Sequence, residues 1–265
     1  MEIEGKFRYV SPIPMGLKML VRYLTSLLVA AGFAGTALAA PNPAEAPALP
    51  AGFERFAAEI EAFAARDLER KTPGDTLFVG SSSIRLWDTA HSFPRRAAMN
   101  RGFGGATTPD VLHYYGQVVA RYQPASIIVY VGENDIAAGA APETVSADVL
   151  TLLTRIRKDN PRARIAYLSM KPSPSRWNLW AKMDAVNNAV RAKSGRASFD
   201  YLDVGSALLN TDGMPDRQFF TADGLHMNAS GYSLWTAAVD AYLGSPDAKT
   251  APGAKAPAVV RTTAL

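Results

Sequence analysis

Apolar residues form two different patterns along the middle of the chain, one typical of helices and one typical of buried strands. Apolar residues at helical spacing predict helices over 53–71, 108–121, 145–156, 178–194 and 234–242. Short continuous apolar runs predict strands at 76–79, 97–99, 127–131, 165–168 and 199–202. Strands and helices therefore alternate from about residue 53 to residue 243.

This alternation predicts the fold class. Strands separated by helix-length segments pair in parallel, because a parallel connection needs a long crossover. Continuous apolar strands indicate that both faces of the sheet are covered. We therefore expect an α/β fold, a three-layer α/β/α sandwich with a parallel sheet of about five strands. Ligands of such sheets bind beyond the carboxyl ends of the strands, where the strand order reverses.

The two ends of the chain differ from this pattern. Lys18 and Arg22 precede an uncharged run that ends in small residues at Ala37-Leu38-Ala39. This order is typical of a secretory signal peptide. It predicts a signal peptide at 1–39 and a periplasmic or secreted location, with no stable membrane insertion after cleavage. An uncleaved N-terminal membrane anchor is the alternative, because the run is almost long enough to span a bilayer.

The remaining boundaries follow from composition. Residues 40–51 are rich in Pro and Ala and predict a linker, and 244–265 lack periodicity and predict a disordered tail. One domain, 52–243, remains. The net charge of +4 comes from the ends, since 1–39 and 245–265 each contribute +2 and the region between them is neutral. No basic patch in the body of the sequence therefore indicates a nucleic-acid partner.

The chain of 265 residues contains no cysteine. This excludes a disulfide scaffold, a thiolate zinc site, an iron–sulfur cluster and a cysteine nucleophile. The sequence also lacks the Gly-x-Ser-x-Gly elbow of α/β-hydrolases and the Gly-x-x-x-x-Gly-Lys loop of nucleotide triphosphatases.

Polar residues and glycines follow the predicted strands. They form five segments, Gly80–Ser83, Asn100–Gly105, Gly132–Asp135, Lys171–Trp177 and, after a longer loop, Asp223–His226. The carboxyl ends of parallel strands share one edge of the sheet, so we expect these segments to converge there.

A serine and a histidine in these segments indicate nucleophilic chemistry. A serine hydroxyl needs a base to become a nucleophile, and histidine titrates near neutrality. Of the three histidines, His91 lies in a polar stretch and His113 in a predicted helix. His226 follows Asp223 by three residues, so the carboxylate can hold Nδ1 and leave Nε2 as the base. A solvated loop histidine is the alternative for this loose pattern.

Acyl transfer also needs donors for a developing oxyanion. The candidates are the backbone N–H of Ser82 at a helix N-terminus, the Gly102–Gly105 loop and the side-chain amide of Asn134. Taken singly, the glycines also fit a tight turn and Asn134-Asp135 a capped turn.

The segments Phe78–Ser83, Asn100-x-Gly-x-Gly-Gly105, Val131-Gly-Glu-Asn134-Asp135 and Asp223-Gly-Leu-His226 resemble the four blocks of the SGNH (GDSL) hydrolases. They stand in the family's order over about 75–243, and their spacing is similar to the platelet-activating-factor acetylhydrolase-like branch. The resemblance implies a flavodoxin-like sandwich and a serine esterase without metal or organic cofactor.

Matching block by block, the resemblance implies Ser82 as the nucleophile and Asp223 and His226 as the acid/base pair. It implies Gly105 and Asn134 as oxyanion donors beside the Ser82 N–H. The first block of the family usually reads Gly-Asp-Ser, and here a serine replaces the acid. Ser81 and Ser83 therefore stay open as alternatives to Ser82.

We accordingly predict a secreted serine esterase that hydrolyses short-chain or acetyl esters of a small molecule or glycan. A non-catalytic binding protein on the same fold and a longer-chain lipase or lysophospholipase are the alternatives. The Lys171–Trp177 segment predicts substrate contacts, with Lys171 and Arg176 meeting an acidic group and Trp177 stacking on a sugar. An ordinary surface loop is the alternative there. The sequence does not indicate an oligomeric state.

Overall fold

A computed structural model of the protein describes residues 52–69, 75–195 and 199–244. The predicted signal peptide, the predicted linker up to residue 51 and the predicted tail from residue 245 lie outside the described residues. Within the described ranges, the chain forms one five-stranded parallel sheet in the order β2-β1-β3-β4-β5. The strands are β1 Thr76–Gly80, β2 Ala98–Gly102, β3 Ser126–Tyr130, β4 Arg164–Leu168 and β5 Asp200–Leu202.

Helices connect these strands as the sequence predicts. The described residues contain α1 Ala57–Glu69, α2 Ser82–Arg85, α3 Thr89–Ser92, α4 Thr108–His113, α5 Glu133–Ala137, α6 Pro142–Asp159, α7 Trp180–Arg191 and α8 Ala229–Gly244. The α/β class and the five parallel strands are therefore confirmed. The last helix includes Gly244, which the sequence assigned to the tail.

The helix predicted over 108–121 differs in two ways. It ends at His113, and a π-helical turn follows at Gly116–Ala120. Glycine is a poor helix former, which favours a break near Gly116, and Val118 and Val119 are fully buried within the π-turn. The N-cap of α4 is Thr107. Its hydroxyl accepts from the Asp110 N–H and the Asp110 carboxylate accepts from the Thr107 N–H, which forms a capping box.

Hydrophobic clusters cover both faces of the sheet. On β1, Leu77 and Val79 face the helices α1, α4, α6 and α7, whereas Phe78 faces α2 and α8. All three side chains are fully buried. This alternation explains the continuous apolar run of the strand, because each face packs against its own layer of helices.

Aromatic rings dominate the second of these clusters. Trp87 packs edge-on against Trp235 of α8 with ring centroids 5.7 Å apart, and Phe78 lies 5.4 Å from Trp87. Tyr130 lies 4.8 Å from Trp235. The rings fix α8 to the sheet beneath the loops that carry the polar segments.

The strand β2 extends further than the sequence predicted because its polar residues have buried partners. The Asn100 amide donates to the carbonyl oxygens of Ile84 and Trp87. Arg101, only 2% exposed, pairs with Asp67 of α1.

Among the described residues, no helix combines the length and the apolar character needed to cross a membrane.

Candidate active site

The polar segments meet at the carboxyl ends of β1 and β3, where the strand order reverses. A Cβ on Gly80, which has a φ of +150°, would lie 1.8 Å from the carbonyl oxygen of Tyr130. Glycine therefore allows the two strand ends to approach closely. The Ser81 N–H donates to the same carbonyl oxygen at 3.1 Å.

The three consecutive serines occupy different environments. Ser81 and Ser83 are each 3% exposed, whereas Ser82 is half-buried. Ser82 is the first residue of α2, and its Oγ lies 3.0 Å from Nε2 of His226. Of the three hydroxyls, that of Ser82 is thus the one placed against a base, which supports Ser82 over its two neighbours.

Asp223 completes a hydrogen-bonded series with His226. Its Oδ2 lies 2.6 Å from Nδ1 of the imidazole. Its Oδ1 accepts the backbone N–H groups of Leu225 and His226 at 2.8 and 3.0 Å and the Thr221 hydroxyl at 2.7 Å. The carboxylate is therefore fixed in place, and it directs the imidazole so that Nε2 faces Ser82.

The same contacts control the charge of Asp223. Desolvation raises its pKa, but the hydrogen bonds from the Leu225 N–H, the His226 ring and the Thr221 hydroxyl outweigh this effect. Together they hold the pKa well below its ordinary value, since each bond stabilises the ionised form.

Asn134 stands next to the glycine loop. It lies in the first turn of α5, and its Nδ2 donates to the carbonyl oxygen of Ala106 at 2.9 Å. Gly105, directly before Ala106, is exposed and has a φ of +71°. Within the described residues, the Gly105 N–H donates to no protein acceptor. One hydrogen bond therefore anchors Asn134 to the residue that follows Gly105.

The glycine loop also contacts α1, a partner that the sequence did not indicate. The Gly104 N–H donates to the Glu59 carboxylate, at 3.2 and 3.3 Å from its two oxygens. Glu59 lies in the first turn of α1, and no motif distinguishes it from the other acids of that helix. Its role depends on a contact between residues 45 positions apart.

The Lys171–Trp177 segment contacts both the loop that carries His226 and Asn134. The Ser175 N–H donates to the carbonyl oxygen of Gly224 in the histidine loop at 3.0 Å. Trp177 is half-buried and stacks on Trp180 with ring centroids 6.0 Å apart. Lys171 is fully buried. The expectation that Lys171 meets an acidic substrate group is therefore wrong, because its ammonium group already pairs inside the protein.

The partner of Lys171 is Glu133, the residue before Asn134. The Lys171 Nζ lies 2.8 Å from Glu133 Oε2, which also accepts the Tyr130 hydroxyl. The Arg176 Nη1 lies 3.2 Å from Glu133 Oε1 and donates to Asn134 Oδ1 at 3.1 Å. Desolvation raises the pKa of Glu133, but the charges of Lys171 and Arg176 outweigh it and hold the pKa below its ordinary value.

These distances define what the crevice can do. A hydroxyl, an imidazole and a carboxylate in hydrogen-bonded series can generate a nucleophilic oxygen. Backbone N–H groups and a side-chain amide beside them can stabilise negative charge on a carbonyl oxygen. Over the described ranges, no group of three His, Asp or Glu side chains could hold a metal ion.

Comparisons with known proteins agree with this geometry. The GDSL-like lipase/acylhydrolase family matches residues 80–234. No curated protein matches the chain.

Solved structures show the same fold at low sequence identity. A Streptococcus pneumonia protein, provisionally assigned as a platelet activating factor, has a TM-score of 0.65 and 19% identity, over 72% of this chain and 94% of its own. A GDSL-like lipase from Bacteroides thetaiotaomicron has a TM-score of 0.60 and 17% identity, over 72% and 97%. An acetylxylan esterase from Geobacillus stearothermophilus has a TM-score of 0.54 and 14% identity, over 66% and 96%.

Proposed function

Because the chain belongs to the GDSL-like lipase/acylhydrolase family, a family of ester hydrolases, we propose that it cleaves esters through an acyl-enzyme on Ser82. The observation that carries this proposal is the series Ser82 Oγ, His226 and Asp223, with distances of 3.0 and 2.6 Å. Family membership favours this hydrolase over the alternative of a non-catalytic binding protein.

The reaction proceeds in two halves. Ser82 Oγ bonds to the ester carbonyl carbon while its proton passes to His226 Nε2. His226 then gives that proton to the departing alcohol oxygen, and the acyl group remains on Ser82. A water molecule gives a proton to His226 and attacks the acyl carbon. His226 then returns that proton to Ser82 Oγ as the acyl–oxygen bond breaks, which releases a carboxylic acid and restores the Ser82 hydroxyl. The negative charge of Asp223 stabilises the imidazolium in both halves.

The oxyanion of each tetrahedral intermediate is held by three groups. These are the N–H of Ser82 at the start of α2, the N–H of Gly105 and the Nδ2 amide of Asn134. The support is that the Gly105 N–H has no acceptor among the described residues and that Asn134 is anchored to the same loop. Pre-oriented donors stabilise developing charge without reorganising during the reaction.

The proposed substrate is a short-chain or acetyl ester of a small molecule or glycan. An acetylxylan esterase is among the solved structures that share the fold, and the half-buried Trp177 offers an aromatic surface beside the site. The basic and apolar start of the chain supports action in the periplasm or outside the cell.

The test is hydrolysis of p-nitrophenyl acetate, butyrate and octanoate by the purified protein and by its Ser82→Ala and Ser83→Ala variants. We expect Ser82→Ala to lower kcat by about four orders of magnitude or more, because the nucleophile is removed. Ser83→Ala is the matched control, and we expect it to keep most of the activity. If Ser83→Ala lost activity and Ser82→Ala kept it, the nucleophile would be Ser83 and the assignment to Ser82 would be wrong.

The same assay tests the substrate class. We expect kcat/KM to fall from acetate to octanoate. A rise toward octanoate would instead support the longer-chain lipase. Labelling by a fluorophosphonate provides an independent readout, since we expect the protein to react and the Ser82→Ala variant to stay unlabelled.

A further inference from the structure

A largely buried cluster of charged side chains contacts Asn134 through Arg176. We call Tyr130, Glu133, Lys171 and Arg176 the Glu133 cluster. The side chains of Lys171 and Glu133 are 1% and 4% exposed, and that of Arg176 is 20% exposed. One carboxylate faces two cations, so the cluster carries a net charge of +1.

Stability alone does not explain such a cluster. Removing charges from water is expensive, and a buried ion pair is usually no more stabilising than apolar residues of the same volume. The mechanism proposed above uses none of the four side chains. A net positive charge beside the place where an oxyanion forms is, however, useful to the reaction.

The cluster reaches the reaction through one residue. Asn134 is held on both sides of its amide, with Oδ1 accepting from Arg176 and Nδ2 donating to the carbonyl oxygen of Ala106. Only the Nδ2 end of an amide can donate. The contact from Arg176 therefore fixes which end faces the glycine loop and leaves the second Nδ2 hydrogen for another acceptor.

We propose that Arg176 is a positioning residue for the oxyanion: it orients and polarises the Asn134 amide, while Glu133, itself held by Lys171 and Tyr130, keeps the guanidinium in place. This inference rests on the proposed function. It gives Arg176 a role different from the direct substrate contact that the sequence predicts.

Polarisation follows from the order of the contacts. A cation that donates to Oδ1 draws electron density from the amide and makes the Nδ2 hydrogens stronger donors. The effect is largest where water is excluded, as it is around the buried Glu133. The charge of Arg176 thus acts on the oxyanion without touching the substrate.

The experiment is a double-mutant cycle with Arg176→Ala and Asn134→Ala, measured on p-nitrophenyl acetate. This substrate carries no anionic group for Arg176 to bind. We expect Arg176→Ala to lower kcat about 10-fold or more with KM nearly unchanged, and less than the about 10²–10³-fold loss on removing an oxyanion donor. In the Asn134→Ala background, we expect Arg176→Ala to change kcat by less than about 3-fold, because the residue through which it acts is gone.

Two further variants separate positioning from simple structural support. Arg176→Lys keeps a donating cation, and we expect it to recover a substantial part of kcat. Arg191→Ala is the matched control, because Arg191 is half-exposed and pairs with Asp203 at 3.5 Å. We expect it to leave kcat unchanged.

Three results would overturn the inference. The first is full activity in Arg176→Ala. The second is a double variant whose loss in kcat equals the product of the losses in Arg176→Ala and Asn134→Ala. The third is a raised KM with unchanged kcat in Arg176→Ala. Failure of the proposed function is recognised separately, because Ser82→Ala would then retain activity whatever the cycle shows. If hydrolysis depends on Ser82 and the losses multiply, only the role of Arg176 fails.

Discussion

Removing the Asp67 carboxylate should destabilise the domain far more than removing one of its exposed partners. Asp67 lies on α1, and its two oxygens accept from Arg101 Nη2 and from the Tyr122 hydroxyl, the latter at 2.6 Å. Arg101 is 2% exposed and also donates to the Tyr122 oxygen at 2.7 Å. In Asp67→Ala, the Arg101 charge stays buried and loses its counter-charge.

The structure sets the magnitude of this effect. Breaking a buried pair by removing one partner costs about 3–5 kcal/mol. Arg121 lies 3.8 Å from the same carboxylate but is 44% exposed, so Arg121→Ala should cost less than about 1 kcal/mol. For a urea m-value of about 2 kcal/mol per molar, the midpoint of Asp67→Ala should fall by about 2 M.

The assay is equilibrium urea unfolding of the purified protein and both variants, followed by circular dichroism. A cost below about 1 kcal/mol for Asp67→Ala would refute the reasoning, because Arg101 would then be effectively hydrated. The double substitution Asp67→Leu with Arg101→Met is the complementary control. It should recover much of the loss, since it leaves no unpaired charge.

Three other expectations follow from the site. The pKa of Asp223 is lowered, so the carboxylate stays ionised at its ordinary value of about 3.9 and its stabilising contacts are lost only as the pH falls through the lowered pKa. The pH profile of kcat/KM should therefore show no step from Asp223 near pH 4. An acid limb near pH 4 that involves two protons would contradict this. Glu59→Ala should lower kcat about 3- to 10-fold, because the glycine loop loses the hydrogen bond from its Gly104 N–H. Glu61→Ala, at an exposed position of the same helix, should leave kcat unchanged. Equal kcat values for the two variants would show that Glu59 does not support the loop. Gly80→Ala should cost about 3 kcal/mol in urea unfolding, because its Cβ would collide with a carbonyl oxygen of β3.

The fold followed from the sequence where elements were long and periodic. The buried strands stand out as continuous apolar runs, and α6 shows apolar residues at helical spacing over 18 residues. The helix α5 was not predicted, and α2 was expected only as a helix that starts at Ser82, because four or five residues are too few to show a period. The break at Gly116 depends on how Val118 and Val119 pack, which is a tertiary effect.

The candidate site could be predicted only as far as each residue stood in a motif. Ser82, Asn134, Asp223 and His226 follow strands or precede helices in segments of special composition. The structure brings Ser82, Asp223 and His226 into hydrogen-bonding contact and joins Asn134 to the residue after Gly105. Their catalytic roles stay predictions until activity is measured. The contact between Arg176 and Asn134 joins residues 42 positions apart, and no local pattern encodes such a pair.

The four tryptophans of the chain fall into two pairs. Trp87 and Trp235 are packed together in the aromatic core, whereas Trp177, at the end of the segment that carries Arg176, stacks on Trp180 at the start of α7. Light emission from the first pair reports on the core behind the sheet, and that from the second on the rim of the crevice. Replacing one pair by phenylalanine therefore turns the protein into an optical probe of one region, so that loosening of the rim and loss of the core can be timed separately.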